Sequence, residues 1–314
     1  MERPLSSMIR SVFFCKALCT APEKFHQRQK TGRLGLIAGL LRKKGWGVVC
    51  YKSVMAHLIQ ALPEGPVDIV GDIHGEAEAL HRLLERLGCD WTNARVERPL
   101  VFVGDLIDRG PDSPAVVETV MRLVEAGVAQ CVLGNHELNV LFGSKKEGNG
   151  WLRGDESDHY QYKQNGVSVE ACFDSRQATT EQADRFKAFF ATLPLALQRS
   201  DLRVVHACWD SASIAALPEE GVVADLSIKW ARAIHEDHKA RGLWAGEQAE
   251  REEFSDLKRL DVEPSRHLPN HAVATEERQS KHPIKVLTSG METPVPFEKI
   301  FFVGGKWRFV RRYD

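Results

Sequence analysis

Three short runs rich in apolar residues, 67–70 (VDIV), 100–103 (LVFV) and 129–133 (AQCVL), each end at a glycine. The stretches between them, 76–88 and 113–127, place Leu and Val at helical spacing. Buried strands alternating with amphipathic helices predict a βαβαβ unit. The segments that follow the strands are GDIHG (71–75), GDLIDRG (104–110) and GNHE (134–137). Ligands bind at the strand ends of an open α/β sheet, so this pattern brings three polar loops to one crevice.

Further along, residues 143–178 are polar and Gly-rich and carry Trp151, Arg153, Tyr160 and Tyr162. They predict a long irregular insertion, a lid or specificity loop, in which Arg153 reads as a solvated arginine rather than a second phosphate clamp. Thr179 and Gln182 have capping-box spacing and open a helix whose Phe186, Phe189, Phe190 and Leu193 form one core face. Residues 195–198 and 202–206 predict a hairpin ending at His206. Residues 222–262 carry helical spacing and heavy charge, with His235 and His238 expected on a solvated face. Pro264, Pro269 and Pro283 break 263–293 into predicted loop, and 299–313 reads as a hairpin through Gly304-Gly305.

At 314 residues, 43% hydrophobic and 27% charged, the chain can bury a real core. Seven cysteines, irregularly spaced, argue against a disulfide framework and for a reducing, cytoplasmic setting. Cys15 and Cys19 have no second pair to complete a zinc site. Residues 1–54 hold eleven Lys/Arg and two acids, net +9, against net −10 for the rest. This basic segment lacks the aromatic interleaving of an RNA-binding arm, and its longest apolar run, 34–41, is far too short to span a bilayer. Neither a nucleic-acid nor a membrane partner is expected. Residues 1–54 are expected to be a dispensable extension, disordered or not native, with the natural start at Met55 and the working domain at 55–314.

Asp72 and His74 are i and i+2 on an extended segment and point the same way, a carboxylate and an imidazole suited to a metal. Taken alone, Asp72 could cap a helix and His74 sit on a polar rim. Asp105, Asp108 and Arg109 crowd one loop, a costly cluster unless a cation and an anion bind there. Asp105 can bridge two ions roughly 3.5–4 Å apart. Arg109 offers a planar fork to phosphate oxygens. Asp108 by itself could simply pair with Arg109 to order the turn before Pro111. Asn135 supplies a neutral hard oxygen for Mn²⁺ or a similar ion, and His136 can serve as general acid toward a leaving oxygen.

GDIHG, GDLIDRG and GNHE together resemble the signature of the metallophosphoesterase superfamily. The Arg109-Gly110 ending is similar to its phosphoprotein phosphatase branch, which includes bacterial serine/threonine phosphatases and diadenosine tetraphosphatases, and it speaks against a nuclease. The resemblance covers residues 67–137 and 193–210. It implies an α/β two-sheet sandwich flanked by helices and built from the N-terminal βαβαβ unit. It also implies two divalent metal ions, Mn²⁺ first, with Fe, Zn or Ni as substitutes. Asp72 and His74 would hold one ion, Asn135 and His206 the other, and Asp105 would bridge them. Val205-His206 matches the family's Val-His motif, although Ala207-Cys208 follow where many members have Gly-Gly.

The implied activity is hydrolysis of phosphomonoesters by a metal-activated water, the substrate being a phosphorylated protein or a nucleotide such as a dinucleoside polyphosphate. Arg109 and Asn135 would contact it, and His136, steered by Asp108, would protonate the leaving group. No Cys or Ser lies in the three motifs to act as nucleophile, so no phosphoenzyme is expected. The family's last metal ligand, a Gly-His motif, has no counterpart after His206. A truncated C-terminus and a weakly held second ion are therefore expected, and a binding module without turnover is the alternative reading.

Overall fold

The structure is a computed structural model that describes residues 55–146, 148–154, 158–164, 167–173, 175–253, 267–295, 300–303 and 306–313. The basic segment 1–54, with Cys15 and Cys19, lies outside the described residues. β1 (Ala56–His57) and β2 (Ile59–Ala61) lead into β3 (Asp68–Val70), α1 (Ala77–Arg86), β4 (Leu100–Phe102), α2 (Ser113–Glu125) and β5 (Ala129–Cys131). β3, β4 and β5 pair in parallel, as the βαβαβ pattern predicts. The register puts Val70, Phe102 and Cys131 in one row, so all three loops leave the sheet at the same level.

Each helix forms for a local reason. Leu80 and Leu84 stack on one face of α1 and are buried. Asp112 caps α2 by accepting the Ala115 N–H at 2.9 Å, and Pro114 sits in the first turn, where no intrahelical donor is needed. Next come α3 (Asn135–Leu141), a 3₁₀ turn at Gly150–Leu152, and a hairpin of β6 (Asp158–Gln164) with β7 (Val167–Phe173). The predicted irregular insertion thus contains a regular seven-pair ladder. α4 (Thr180–Phe190) carries the expected capping box, Gln182 N donating to Thr179 Oγ1 (3.1 Å) and Thr179 N to Gln182 Oε1 (3.0 Å).

β8 (Ala196–Gln198) and β9 (Arg203–Val205) form the predicted antiparallel hairpin, and β2 joins β8 in parallel. This second sheet lies against the first. Val101, Val103 and Val132 point from one face of the β3–β4–β5 sheet into a cluster with Leu62, Leu197 and Val204. On the other face Leu100 and Phe102 join Leu84, Val116, Val120 and the buried Phe186 and Phe190. Both faces of β4 are therefore sealed, each large side chain contributing about 1.5–3 kcal/mol by burial. The result is a mixed α/β fold in which two sheets are packed face to face with helices outside.

The remaining elements are α5 (Ser211–Ala216), β10 (Glu220–Gly221), α6 (Val223–Ala240), α7 (Leu243–Glu253), α8 (Pro269–Ser280), α9 (Pro283–Ser289) and β11 (Met291–Pro294), followed by β12 (Phe301–Val303), β13 (Lys306–Arg308) and β14 (Val310–Tyr313). β10 pairs with β1, β12 with β13, and β11 with β14. Pairing of Val303 with Lys306 matches the hairpin predicted there. The loop predicted over 263–293 is corrected. Pro269 and Pro283 start helices rather than break them, because at the first helical position the missing N–H is not required. His238 is a second correction. His235 is exposed, but His238 is buried and its Nε2 meets Glu277 Oε2 at 2.9 Å.

His282 caps α9 as a neutral ring. Its Nδ1 accepts from Lys285 N (3.3 Å) while Nε2 donates to Ser227 O (3.1 Å). Burial, then the Lys285 charge, push its pKa down to about 4. Unfolding frees a histidine that titrates near 6.5. The unfolded chain therefore binds the proton first, and stability is lost as pH falls from about 6.5 to 4, by up to about 3 kcal/mol. His282→Asn keeps a capping acceptor and removes the titration. Urea unfolding at pH 6.5 and pH 4.5 is expected to show a smaller acid loss in that variant than in the wild type.

Candidate metal centre

The three polar loops are laced together through their backbones. The N–H groups of Ile73 and His74 both reach Asp105 O, at 3.1 and 3.0 Å, and Gly75 N reaches Leu106 O at 2.9 Å. Gly104 adopts φ +92°, and a Cβ there would stand 2.6 Å from Gly134 N, so glycine is what lets the second and third loops close up. His74, Asp105, Asp108 and Arg109 all hold left-handed backbone, φ 46°, 48°, 72° and 70°. Such strain costs of order 1–3 kcal/mol per residue and persists where the surroundings over-determine it.

Glu137 supplies that constraint. Fully buried, it accepts from Asp105 N (2.9 Å), Leu106 N (2.8 Å) and Gly134 N (3.1 Å). Burial, then the nearby Asp105 charge, raise its carboxyl above the ordinary value.

Asp105 stands at the centre. Its Oδ1 accepts His136 N at 3.0 Å, and its Oδ2 faces three imidazole Nε2 atoms, of His206 at 3.4 Å and of His74 and His136 at 3.8 Å. Asp72 Oδ2 lies 3.9 Å from His74 Nε2. Burial alone would raise Asp105, but the bond and charge of His206 hold it well below the usual carboxylate range. Burial likewise works against a charged His206, yet Asp105 raises it to about 9. Burial raises Asp72, and burial followed by the Arg109 charge lowers His74.

The partners at Nδ1 divide the histidines. His74 Nδ1 meets Ile107 O at 3.0 Å and His206 Nδ1 meets Val103 O at 2.7 Å. A carbonyl can only accept, so these rings carry hydrogen at Nδ1 and turn Nε2 toward Asp105, the orientation of a metal-ligating histidine. Converging carboxylate and Nε2 atoms fit a divalent cation. His136 differs, because its Nδ1 lies 2.6 Å from Asp108 Oδ2. Burial opposes its protonation, but that carboxylate raises its pKa on balance. Arg109 spans the cluster, Nη1 lying 3.0 Å from His74 Nε2 and Nη2 3.1 Å from His136 Nε2.

Asn135 reaches the group through the third loop. Its hydrogen-bond partners set the amide with nitrogen donating to Thr288 O (3.2 Å) and oxygen accepting from His136 N (3.3 Å), the same N–H that serves Asp105. All eight singled-out residues, Asp72, His74, Asp105, Asp108, Arg109, Asn135, His136 and His206, thus gather at one place. Two more went unsingled in the sequence. Glu137 was passed over although it ends the third motif, and Trp151 Nε1 donates to Asp108 Oδ1 at 2.8 Å from a loop with no motif. No other histidine singled out beyond His206 joins the cluster among the described contacts. His282 is engaged at α9, while His238 lies with Glu277 among the cations Arg241 and Lys281.

Residues 65–209, which include the whole cluster, match the calcineurin-like phosphoesterase family. Over these residues the chain is similar to a metallophosphoesterase domain, a class that works through divalent metal ions. Two curated relatives are bis(5'-nucleosyl)-tetraphosphatases. The asymmetrical enzyme PrpE of Oceanobacillus iheyensis is 45% identical over 74 residues, 22% of this chain and 30% of that protein. The symmetrical enzyme of Ralstonia nicotianae is 41% identical over 76 residues, 24% of each chain. Each match thus spans less than a third of the relative's own length. A crystal structure of a candidate diadenosine tetraphosphatase, 26% identical, superposes with a TM-score of 0.33 over 50% of this chain and 59% of its own.

Glu137→Ala strands three buried N–H groups at about 1–3 kcal/mol apiece. We expect a loss of at least about 3 kcal/mol in urea unfolding, with the unfolding slope unchanged.

Proposed function

We propose that this domain is a metal-dependent phosphoesterase that hydrolyses phosphate esters with water as nucleophile. One observation carries the reading. His74 and His206, fixed at Nδ1 by backbone carbonyls, turn Nε2 toward Asp105, while His136 stands beside them on a buried carboxylate. Asp72 and His74 would hold one divalent ion, Asn135 and His206 a second, with Asp105 between them. Manganese is the ion we expect. Such a pair, when bound, supplies an activated water and draws charge from phosphoryl oxygens.

The chain's own residues do the rest. The His74 Nε2 lone pair cannot serve Arg109 and a cation at once, so with His74 as a ligand that arm of the guanidinium would be left to a phosphoryl oxygen. Protonated His136 breaks with Arg109 at Nε2 and offers that N–H to the leaving oxygen, while Asp108 holds the opposite N–H and stabilises the imidazolium. Arg109 and Asn135 would contact the phosphoryl group. The named activity of the curated relatives puts dinucleoside polyphosphates beside phosphoproteins as substrate class, and parallel assays on diadenosine tetraphosphate and a phosphoserine peptide separate the two. Among the described residues no helix is long and apolar enough to cross a membrane, and the cytoplasmic setting is our reading of the irregular spacing of the seven cysteines.

Two variants test the reading. Asp105→Asn is expected to lower bound manganese after reconstitution, measured by elemental analysis; equal metal content would sink the bridging role. His136→Asn should retain the metal but lower kcat on an alkyl phosphate by about 10²–10⁴. A leaving group that needs no proton should show a much smaller loss.

A further inference from the structure

Behind Asp108 the fold places a residue that no motif marks. Trp151 lies on the 3₁₀ turn Gly150–Leu152, only 1% exposed, with its ring 6.4 Å from that of Phe186 on α4. Its own carbonyl accepts Ala178 N at 2.9 Å, which fixes the turn against the start of α4. The same loop touches the neighbouring backbone, Arg109 N donating to Gly148 O at 3.4 Å. Asp108 is completely buried and divides its oxygens, Oδ2 to His136 Nδ1 at 2.6 Å and Oδ1 to the Trp151 indole N–H at 2.8 Å. Its backbone N–H goes to Ser113 Oγ at 2.9 Å.

Each of these contacts constrains a different freedom. The backbone bond fixes where Asp108 sits; the indole fixes how its carboxylate is rotated. Indole nitrogen can only donate, so its bond engages Oδ1 as an acceptor and leaves Oδ2 turned to His136. Without it, one oxygen of a buried carboxylate has no described partner, and the plane presented to His136 is free to turn. An outer partner of this kind tunes the inner group without touching substrate.

We propose that Trp151 is a positioning residue for proton delivery, completing a His136–Asp108–Trp151 relay in which the indole N–H orients Asp108 and so aims His136. The inference rests on the phosphoesterase reading above.

The test uses manganese-reconstituted full-length protein with two substrates, glycerol 2-phosphate, whose alkoxide needs a proton, and 4-nitrophenyl phosphate, whose phenolate does not. Trp151→Phe keeps an aromatic ring and removes the donor. It should lower kcat on glycerol 2-phosphate about ten- to a hundred-fold, leaving KM, bound manganese and 4-nitrophenyl phosphate turnover near wild type. In a His136→Asn background the same change should have no further effect on glycerol 2-phosphate, since the relay has nothing left to aim. In ¹⁵N-histidine-labelled protein the His136 Nδ1–H resonance should shift or broaden. If Trp151→Phe does not fold, Trp151→benzothienylalanine keeps the bicyclic shape and still removes the N–H. Equal losses on both substrates, additive effects in the double variant, or an unchanged Nδ1–H signal would overturn the relay while leaving the phosphoesterase reading intact. A wild type that turns over neither substrate, nor diadenosine tetraphosphate nor a phosphoserine peptide, overturns both.

Discussion

The Glu137 carboxylate takes two N–H groups from the second loop and one from the third, in a position fully closed to solvent. Asp105 can hold its left-handed backbone because its N–H is one of the three. That backbone carries the carbonyl to which Ile73 and His74 donate, so the first loop is fixed through the second. It also aims the carboxylate that takes His136 N and faces three imidazoles. Remove the Glu137 bonds and the loops have glycines and strain but no common anchor.

Above that anchor, one side-chain type is put to two uses. His74, His136 and His206 all bring Nε2 to within 3.8 Å of Asp105 Oδ2. What differs is the atom held behind each ring. A neutral carbonyl fixes tautomer and direction; a carboxylate does the same and also favours the imidazolium. The third loop lies next to Asp108 in space, so His136 receives the carboxylate although 28 residues separate the two.

Much of this was legible in the sequence because the relevant order is local. Strand, glycine and polar motif follow one another within a dozen residues, so the βαβαβ unit and the meeting of its loops could be read from spacing. Val205-His206 needed the family pattern in addition, since a histidine after a strand is ambiguous. What stayed hidden was set by distant contacts. Trp151 is 43 residues from Asp108 and sits in a polar stretch whose composition suggests a solvated loop. His238 lies in a highly charged helix, and only the packing of α8 against α6 buries it. Pro269 and Pro283 were misread because proline stops one helix and starts another, and composition does not tell which.

The left-handed backbone at Arg109 has a consequence for anyone who selects this protein for heat resistance. The side chain is exposed, so little packing is lost when it is shortened, while its φ of 70° is one that glycine adopts freely. Arg109→Gly would relieve about 1 kcal/mol of backbone strain, less what the unfolded chain gains in freedom. It would also delete the guanidinium proposed above to hold a phosphoryl oxygen. On that proposal, a screen scored on melting temperature alone would collect inactive clones at this position, the fold and the proposed site asking for opposite residues.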